Sequence, residues 1–121
     1  MFTNAAKTMK KSDKKRDNQI RAVLTDICDE ALDRHLGFKW LTHLVSYSTF
    51  SKSLKVICVF DTNANLQRFM QIGQNSFNEK IKKNLGAVEI PIQDVGRQIK
   101  YDTEENCDRD NGGDWGDRLA P

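Results

Sequence analysis

The segment that most constrains this fold is residues 54–60, LKVICVF. It is continuous, apolar and rich in β-branched residues, which is typical of a strand within a sheet. It is also far shorter than the ~20 apolar residues that a membrane-spanning helix needs, and no other stretch reaches that length. Residues 38–47, FKWLTHLVSY, have strand character as well. The short Ser/Thr-rich connection over 48–53 predicts that the two strands pair as an antiparallel hairpin.

The segment before this hairpin predicts a helix over residues 18–35. Its apolar residues recur every three or four positions, as on one helical face: Ile20, Val23, Leu24, Ile27, Ala31 and Leu32. Asp17 is suited to cap the start of this helix, and Gly37 to end it. The opposite face is acidic, which makes the helix a poor candidate for lying along a nucleic acid. Its acids are Asp26, Asp29, Glu30 and Asp33.

A second helix is predicted over residues 64–84, shortly after the apolar strand ends. The sequence Asp61-Thr62-Asn63 ends that strand and offers capping side chains. One apolar stripe runs along this helix and consists of Leu66, Phe69, Met70, Gly73, Phe77 and Ile81. A glycine within such a stripe indicates close backbone packing, despite its cost of about 1 kcal/mol to helix stability.

The region after the second helix predicts strands at the edge of the sheet. Residues 87–93, AVEIPIQ, alternate apolar residues with polar ones or proline, as a strand does. Pro91 lacks a backbone donor, which favours an edge position. Residues 97–102 could add one short last strand, and little regular structure is expected from Thr103 onward.

Together these elements predict one α+β domain, which the length of 121 residues also fits. The expected order is α-β-β-α-β, with one further short strand, and two helices lie on one face of a small, mostly antiparallel sheet. We expect three parts along the chain. They are a basic flexible arm over residues 1–17, the domain over residues 18–102, and an acidic, irregular tail over residues 103–121.

The net charge of +2 is the balance of two strongly charged ends. Residues 1–21 carry seven basic and two acidic side chains, whereas residues 101–121 carry seven acidic and two basic ones. A basic block of this kind can contact phosphates, and an acidic tail could compete for it or bind a basic partner. The residues predicted to contact nucleic acid are Lys10, Lys11, Lys14, Lys15 and Arg16 in the arm, with Arg68, Lys82 and Lys83 as a second patch.

The sequence lacks the patterns of common catalytic and metal sites. It has no phosphate-binding glycine loop, nucleophile elbow or HExxH motif, and its cysteines and histidines lack the spacing of a zinc site. Four residue sets could still carry chemistry, although each has a simpler structural role. They are a His35–His43 metal pair, a Cys58–His43 nucleophile, an acidic calcium loop over 108–117, and Asp61 as a catalytic acid. We therefore predict a protein that is not an enzyme and holds neither cofactor nor metal.

Within the acidic tail, Trp115, Arg118 and Leu119 could either dock on a partner or pack back onto the protein's own core. The three cysteines are far apart, which indicates reduced thiols rather than a disulfide framework. Residues 1–11 lack the apolar segment of a signal peptide. These features predict a cytoplasmic protein without membrane association, either monomeric or a homodimer.

Two functions are compatible with these patterns. The first is a small non-enzymatic module associated with nucleic acid or ribonucleoprotein, which contacts phosphates weakly through its basic residues. The alternative is a protein-interaction or adaptor module that acts through a sheet edge or through the acidic C-terminal tail.

Three segments carry a family resemblance: GFKWLTHLVSYS, SLKVICVFDTNANL and YDTEENCDRDNGGDWGDRLA. Through them the chain resembles, from about Lys10 onward, short bacterial proteins named Fis family transcriptional regulators. The name implies a DNA-binding nucleoid protein, and a true Fis protein is all-helical and ends in a helix-turn-helix. Residues 87–121 show no two-helix pattern and are acidic where Fis is basic. No Fis functional residue is therefore transferred to this chain.

The predicted element order is also similar to that of small KH-like domains such as ribosome-binding factor A, at the level of the fold alone. A KH domain clamps single-stranded nucleic acid through a GxxG loop between two helices. The sequence Gly73-Gln74-Asn75-Ser76 lacks the second glycine. A KH-type clamp is therefore not expected here.

Overall fold

The apolar run of residues 54–60 forms the central strand of a three-stranded sheet. The structure, a computed structural model, describes residues 10–121. In chain order its elements are α1 (Lys11–Arg34), β1 (Phe38–Leu44), β2 (Lys55–Phe60), α2 (Asn63–Ile72), α3 (Gln74–Gly86), α4 (Val95–Gln98), β3 (Ile99–Thr103), α5 (Glu104–Asn111) and α6 (Trp115–Arg118). A short 3-10 turn, Tyr47–Thr49, lies between β1 and β2. The predicted α+β class is confirmed.

The sheet is mixed rather than mostly antiparallel. β1 and β2 pair antiparallel with Leu41 opposite Cys58, so the predicted hairpin is confirmed. β2 and β3 pair in parallel with Cys58 opposite Tyr101. A parallel pair needs a long crossover connection, and here α2, α3 and α4 provide it.

One face of the sheet carries the main core. Because side chains alternate along a strand, Val56, Cys58 and Phe60 point to the same face, and all three are buried in one apolar cluster. The three longest helices contribute eight further members of this cluster. Their buried members are Ile20, Leu24, Ile27 and Ala31 from α1, Phe69 from α2, and Phe77, Ile81 and Leu85 from α3.

The opposite face of the sheet is covered by the C-terminal segment. Trp40, Val59 and Asp102 form one row across the three strands. The ring of Trp115 lies edge-on to Trp40 with 4.8 Å between ring centroids, and Arg118 donates two hydrogen bonds to Asp102. The expectation of helices on one face therefore holds for α1, α2 and α3, while α6 adds a second layer.

The expectation of an irregular acidic tail over residues 103–121 is wrong, because most of it is helical in α5 and α6. Local capping explains this difference. The hydroxyl of Thr103 accepts a hydrogen bond from the backbone N–H of Asn106 at 3.0 Å, and one buried side chain, Cys107, anchors α5 to the domain. Asp114 caps α6 in the same way by accepting from the backbone N–H of Asp117 at 2.9 Å, so both helices of this segment begin at a side-chain cap.

The predicted flexible arm over residues 1–17 is also wrong where the structure describes it, because α1 begins at Lys11 and not at residue 18. Residues 1–9 of that arm lie outside the described part of the chain. Asp17 is therefore not a helix cap but a buried residue within the helix. The helix ends where predicted, since Gly37 follows it with a left-handed backbone, φ +84°.

The single helix predicted over residues 64–84 is two helices, α2 and α3, which meet at Gly73. Close packing at this glycine is confirmed, since an added Cβ would lie 3.1 Å from the Phe69 ring. Ile72, the last residue of α2, is 80% exposed.

The strand predicted over residues 87–93 is wrong, and the sheet takes the short last strand instead as β3. Ile90 and Ile92 are buried, so the apolar alternation does report burial, but Glu89 has φ +64° and the segment forms no ladder. The buried side chain of Gln98 makes hydrogen bonds to the backbone at the end of this segment, in place of those that pairing with a neighbouring strand would provide. Its Oε1 accepts from the backbone N–H groups of Gln93 and Asp94 at 3.0 and 2.9 Å.

We predict that Gly37→Ala destabilises the protein. An alanine there must hold a left-handed backbone, at a cost of about 1–3 kcal/mol, and its Cβ would lie 2.5 Å from Asp61 Oδ1 and 2.7 Å from Asn65. Urea unfolding measures the change. The matched control is Gly86→Ala, where an added Cβ meets nothing within 4 Å. Equal unfolding midpoints for the two variants would contradict the prediction.

Candidate nucleic-acid interface

The five basic residues predicted in the arm lie together at the N-terminal end of α1. Lys10 directly precedes the helix, and Lys11, Lys14, Lys15 and Arg16 fall within its first two turns. All five are exposed. We refer to these five residues as the basic end.

Most of the basic end faces away from the protein. Lys11, Lys14 and Lys15 are three and four positions apart, which places them on one helical face. The buried face of the same helix lies opposite and consists of Asp17, Ile20, Leu24, Ile27 and Ala31. Further along α1 the outer face becomes acidic. The exposed acids there are Asp26, Asp29 and Asp33.

The charge of the basic end is not neutralised within the domain. Across residues 10–121, no acidic side chain forms an ion pair with any of the five residues. Lys10, the N-cap, makes no side-chain capping hydrogen bond. Cations at a helix N-terminus face the positive end of the helix dipole, which is unfavourable by about 0.3–1 kcal/mol each. The arrangement leaves a positive surface that only a negatively charged partner would neutralise.

Arg16 is held by aromatic rings instead of an acid. Its guanidinium carbon lies 4.6 Å from the centroid of the Phe50 ring, a cation–π contact. Phe50 in turn stacks on Tyr47 with 5.5 Å between centroids and 7° between ring planes. These contacts position Arg16 against the β1–β2 connection while its charge remains exposed.

A buried carboxylate fixes the basic end to the sheet. Asp17 Oδ2 accepts a hydrogen bond from Arg21 Nε at 2.7 Å. Asp17 Oδ1 accepts one from the Tyr47 hydroxyl at 2.9 Å and lies 2.8 Å from His43 Nε2. Asp17 and His43 are 4% and 1% exposed, so their polar atoms depend on partners inside the protein.

The environment of Asp17 favours its ionised form. Burial raises the pKa of this carboxyl, but the hydrogen bonds from Arg21, His43 and Tyr47 outweigh burial and hold the pKa below its ordinary value of 3.8. Burial and the same carboxylate raise the pKa of Tyr47, which therefore stays protonated and donates. The network ties the first turns of α1 to β1 and to the turn that follows it.

This network was missed in the sequence, although one signal for it exists. Asp17 precedes Ile20 and Leu24 by three and seven positions, so it continues the buried stripe of α1 toward the N-terminus. An acid on an apolar stripe requires a polar partner inside the protein. His43, on the neighbouring strand, is that partner.

The second predicted patch does not form one continuous surface with the basic end. Arg68 lies beside Arg34 at the C-terminal end of α1, where both line the same depression. α1 has 24 residues, so its two ends lie about 35 Å apart at a rise of ~1.5 Å per residue. Lys82 and Lys83 are exposed on α3. The structure therefore brings the basic end together but separates it from Arg68.

The residues considered for catalysis or metal binding have structural contacts. Cys58 is fully buried in β2, burial raises the pKa of its thiol, and His43 bonds to Asp17 instead. Asp61 Oδ1 accepts hydrogen bonds from the Thr62 backbone and from Asn65 Nδ2 at 2.6 and 2.9 Å. Within the described residues, no group of three or more His, Cys, Asp or Glu side chains is arranged to hold a metal ion.

The three tail residues considered for docking contact the protein's own sheet. Trp115 packs on Trp40, Arg118 bonds to Asp102, and Leu119 lines a depression with residues from the ends of β1 and β2. Arg118 also lies 3.4 Å from Asp110. The pKa of the Asp110 carboxyl falls to about 2, mainly because it accepts a hydrogen bond from Arg109. Docking through Trp115 would require α6 to leave the sheet.

We predict that Asp17→Asn lowers stability near neutral pH by about 2 kcal/mol, because charged hydrogen bonds contribute about 1.5–3 kcal/mol each. The folded-state pKa of Asp17 lies below its ordinary value of 3.8. The ionised group therefore stabilises the fold above that pH, and this contribution is lost as the pH falls through the folded-state pKa. Urea unfolding at several pH values should show the gap between wild type and variant closing below about pH 4.

The matched control for this prediction is Asp29→Asn, which removes the same charge from the exposed face of α1. Its unfolding midpoint should stay close to that of the wild type at every pH. An Asp17→Asn curve parallel to the wild-type curve across the acid range would show that the fold does not lower the pKa of this carboxyl, and would contradict the prediction.

Comparisons with known proteins return no match. No family model, curated protein or solved structure matches the chain.

Proposed function

We propose that this protein is a small non-enzymatic module that binds nucleic acid, or a ribonucleoprotein, through phosphate contacts made by the basic end. The observation that carries this proposal is the set of five exposed, unpaired cations in two turns of one helix. The chemistry of the surface suits DNA and RNA equally, because both present phosphates.

The shape of the charged surface limits the size of the contact. From Asp26 onward the outer face of α1 is acidic and would repel a phosphate backbone lying along the helix. The nucleic acid would therefore meet the helix at its N-terminal end. Five cations within two turns can neutralise about three to five phosphates, which gives weak and salt-sensitive binding.

Binding of this kind would not read base sequence. Lysine and arginine contacts to phosphates fix position, whereas sequence is read by side chains that reach base edges in a groove. The basic end consists of lysines around one arginine that is already stacked on Phe50. Specificity, if the protein needs it, would come from a partner in a ribonucleoprotein or another assembly.

A cytoplasmic location suits this proposal. Cys28, Cys58 and Cys107 are all free thiols, and two of them are buried. Reduced cysteines without disulfides are usual in a reducing compartment, where DNA and RNA are also found in a bacterial cell.

The test is fluorescence-anisotropy binding of the full chain to mixed-sequence DNA and RNA oligonucleotides. With three phosphate contacts, the slope of log affinity against log salt is about −2.7, so affinity falls roughly 40-fold between about 50 and 200 mM salt. The variant Lys11→Ala/Lys14→Ala/Lys15→Ala should bind weakly and show a slope that is flatter by about 2.7. Because these three residues are exposed and their charges oppose the helix dipole, the variant should be at least as stable as the wild type.

The matched control removes the same charge elsewhere. Arg68→Ala/Lys82→Ala/Lys83→Ala also loses three exposed cations but leaves the basic end intact. It should retain nearly all of the affinity. The proposal fails if the wild type shows no binding at low salt, or if the two triple variants lose affinity equally.

A further inference from the structure

A groove lies at the other end of α1, where it meets the junction between α2 and α3. It consists of two adjoining depressions of about 200 and 230 Å³. Arg34, His35 and Ile72 line both of them, so the two form one continuous surface feature. We refer to it as the His35 groove.

The His35 groove has an apolar and aromatic base. The imidazole of His35 lies edge-on to the rings of Phe69 and Phe77, with centroid distances of 4.9 and 5.6 Å. Burial and the neighbouring cations Arg34 and Lys80 lower the pKa of His35, so the ring is neutral near pH 7. A neutral ring packed on two phenylalanines presents a surface with little charge of its own.

Two exposed apolar side chains extend this base to the surface. Leu36 is 67% exposed and Ile72 is 80% exposed, and both line the same depression. Apolar side chains of this size that cluster at a depression mark an interaction site, whereas single ones are ordinary. Gly73 allows His35 and Phe69 to pack closely at this point, since an added Cβ would lie 3.1 Å from Phe69 and 3.6 Å from His35.

The rim of the His35 groove is positive. Arg34, Arg68 and Lys80 line it, together with one acid, Glu30. Glu30 forms ion pairs with both Lys80 and Arg34, and its Oε1 lies 3.2 Å from Arg34 Nη1. Arg68 is exposed and forms no ion pair with any residue in the described part of the chain. One acid cannot balance three cations, so the rim favours a negatively charged occupant.

Each of the two depressions is smaller than the about 300–1,000 Å³ that is usual for a small-molecule site, whereas an extended chain can span both. A phosphate backbone is also a poor occupant, because Leu36 and Ile72 line the same depression as Arg34 and would be covered by polar groups. A peptide suits both the positive rim and the apolar centre, since it can place carboxylates on the rim and an apolar side chain over the centre.

We propose that the His35 groove binds an acidic segment of a partner protein that carries a bulky apolar residue. The carboxylates of this segment pair with Arg68 and Arg34, and its apolar side chain covers Ile72 and Leu36. The site is about 35 Å from the basic end along α1, so the two surfaces can be occupied at the same time. This surface is also separate from the acidic tail.

The test uses the full chain and three fluorescein-labelled synthetic peptides. The first alternates glutamate with leucine, the second replaces glutamate with lysine, and the third replaces leucine with serine. Only the first should bind, and Ile72→Asp or Arg68→Glu should each weaken it about tenfold or more, as for a central interface residue. Arg68→Glu should in turn gain affinity for the lysine peptide. Circular dichroism should show that both variants remain folded, since each changes an exposed side chain.

The matched controls are Leu32→Asp and Met70→Asp. These residues are 50% and 42% exposed but line neither depression. Both variants should bind the first peptide as the wild type does. Equal losses in the controls would mean nonspecific hydrophobic binding, and no binding of the first peptide would also overturn the proposal.

Two other outcomes would assign the His35 groove to a different occupant and so overturn this proposal. One is binding of an oligonucleotide that Arg68→Glu weakens and the first peptide displaces. The other is self-association in analytical ultracentrifugation that Ile72→Asp abolishes. Neither outcome depends on Lys11, Lys14 or Lys15, so the proposed nucleic-acid function and this inference can fail separately.

Discussion

The position of the basic surface depends on one buried carboxylate. Asp17 is shared by Arg21, His43 and Tyr47, and through them the first turns of α1 are held against β1 and the connection that follows it. A helix end that carries so many unpaired cations is disfavoured by its own dipole. The buried network supplies the tertiary contact that keeps this end ordered, so the charge is presented on a rigid element rather than on a mobile arm.

α1 therefore has two ends with different chemistry. Its N-terminal end is basic and hydrophilic, whereas its C-terminal end joins α2 and α3 in the His35 groove, which is apolar with a positive rim. The acidic outer face between them, at Asp26, Asp29 and Asp33, separates the two surfaces electrostatically. Under the two proposals, this arrangement would let the protein bind a phosphate-rich partner and an acidic protein segment at the same time.

The parts of the fold that could be predicted from sequence are those in which the local pattern agrees with the backbone hydrogen bonding. β2 is continuous and β-branched, and the hairpin follows from its short connection to β1. At residues 87–93 the two disagree. Ile90 and Ile92 alternate as in a strand and are indeed buried, but Gln98 satisfies the backbone and β3 takes the place in the sheet. Periodicity reports which side chains are buried, and it does not report where the backbone hydrogen bonds go.

The two candidate surfaces also differ in how well the sequence predicts them. Exposure of the basic end is predictable because lysine and arginine are rarely buried. The His35 groove is not, since Ile72, Arg34 and Leu36 come together only through the tertiary packing of α1 against the α2–α3 junction. The acids of the C-terminal segment show why the first surface remains available. Asp102 and Asp110 pair with Arg118 and Arg109 while α6 is fixed on Trp40, so these acids do not neutralise the lysines at the start of α1.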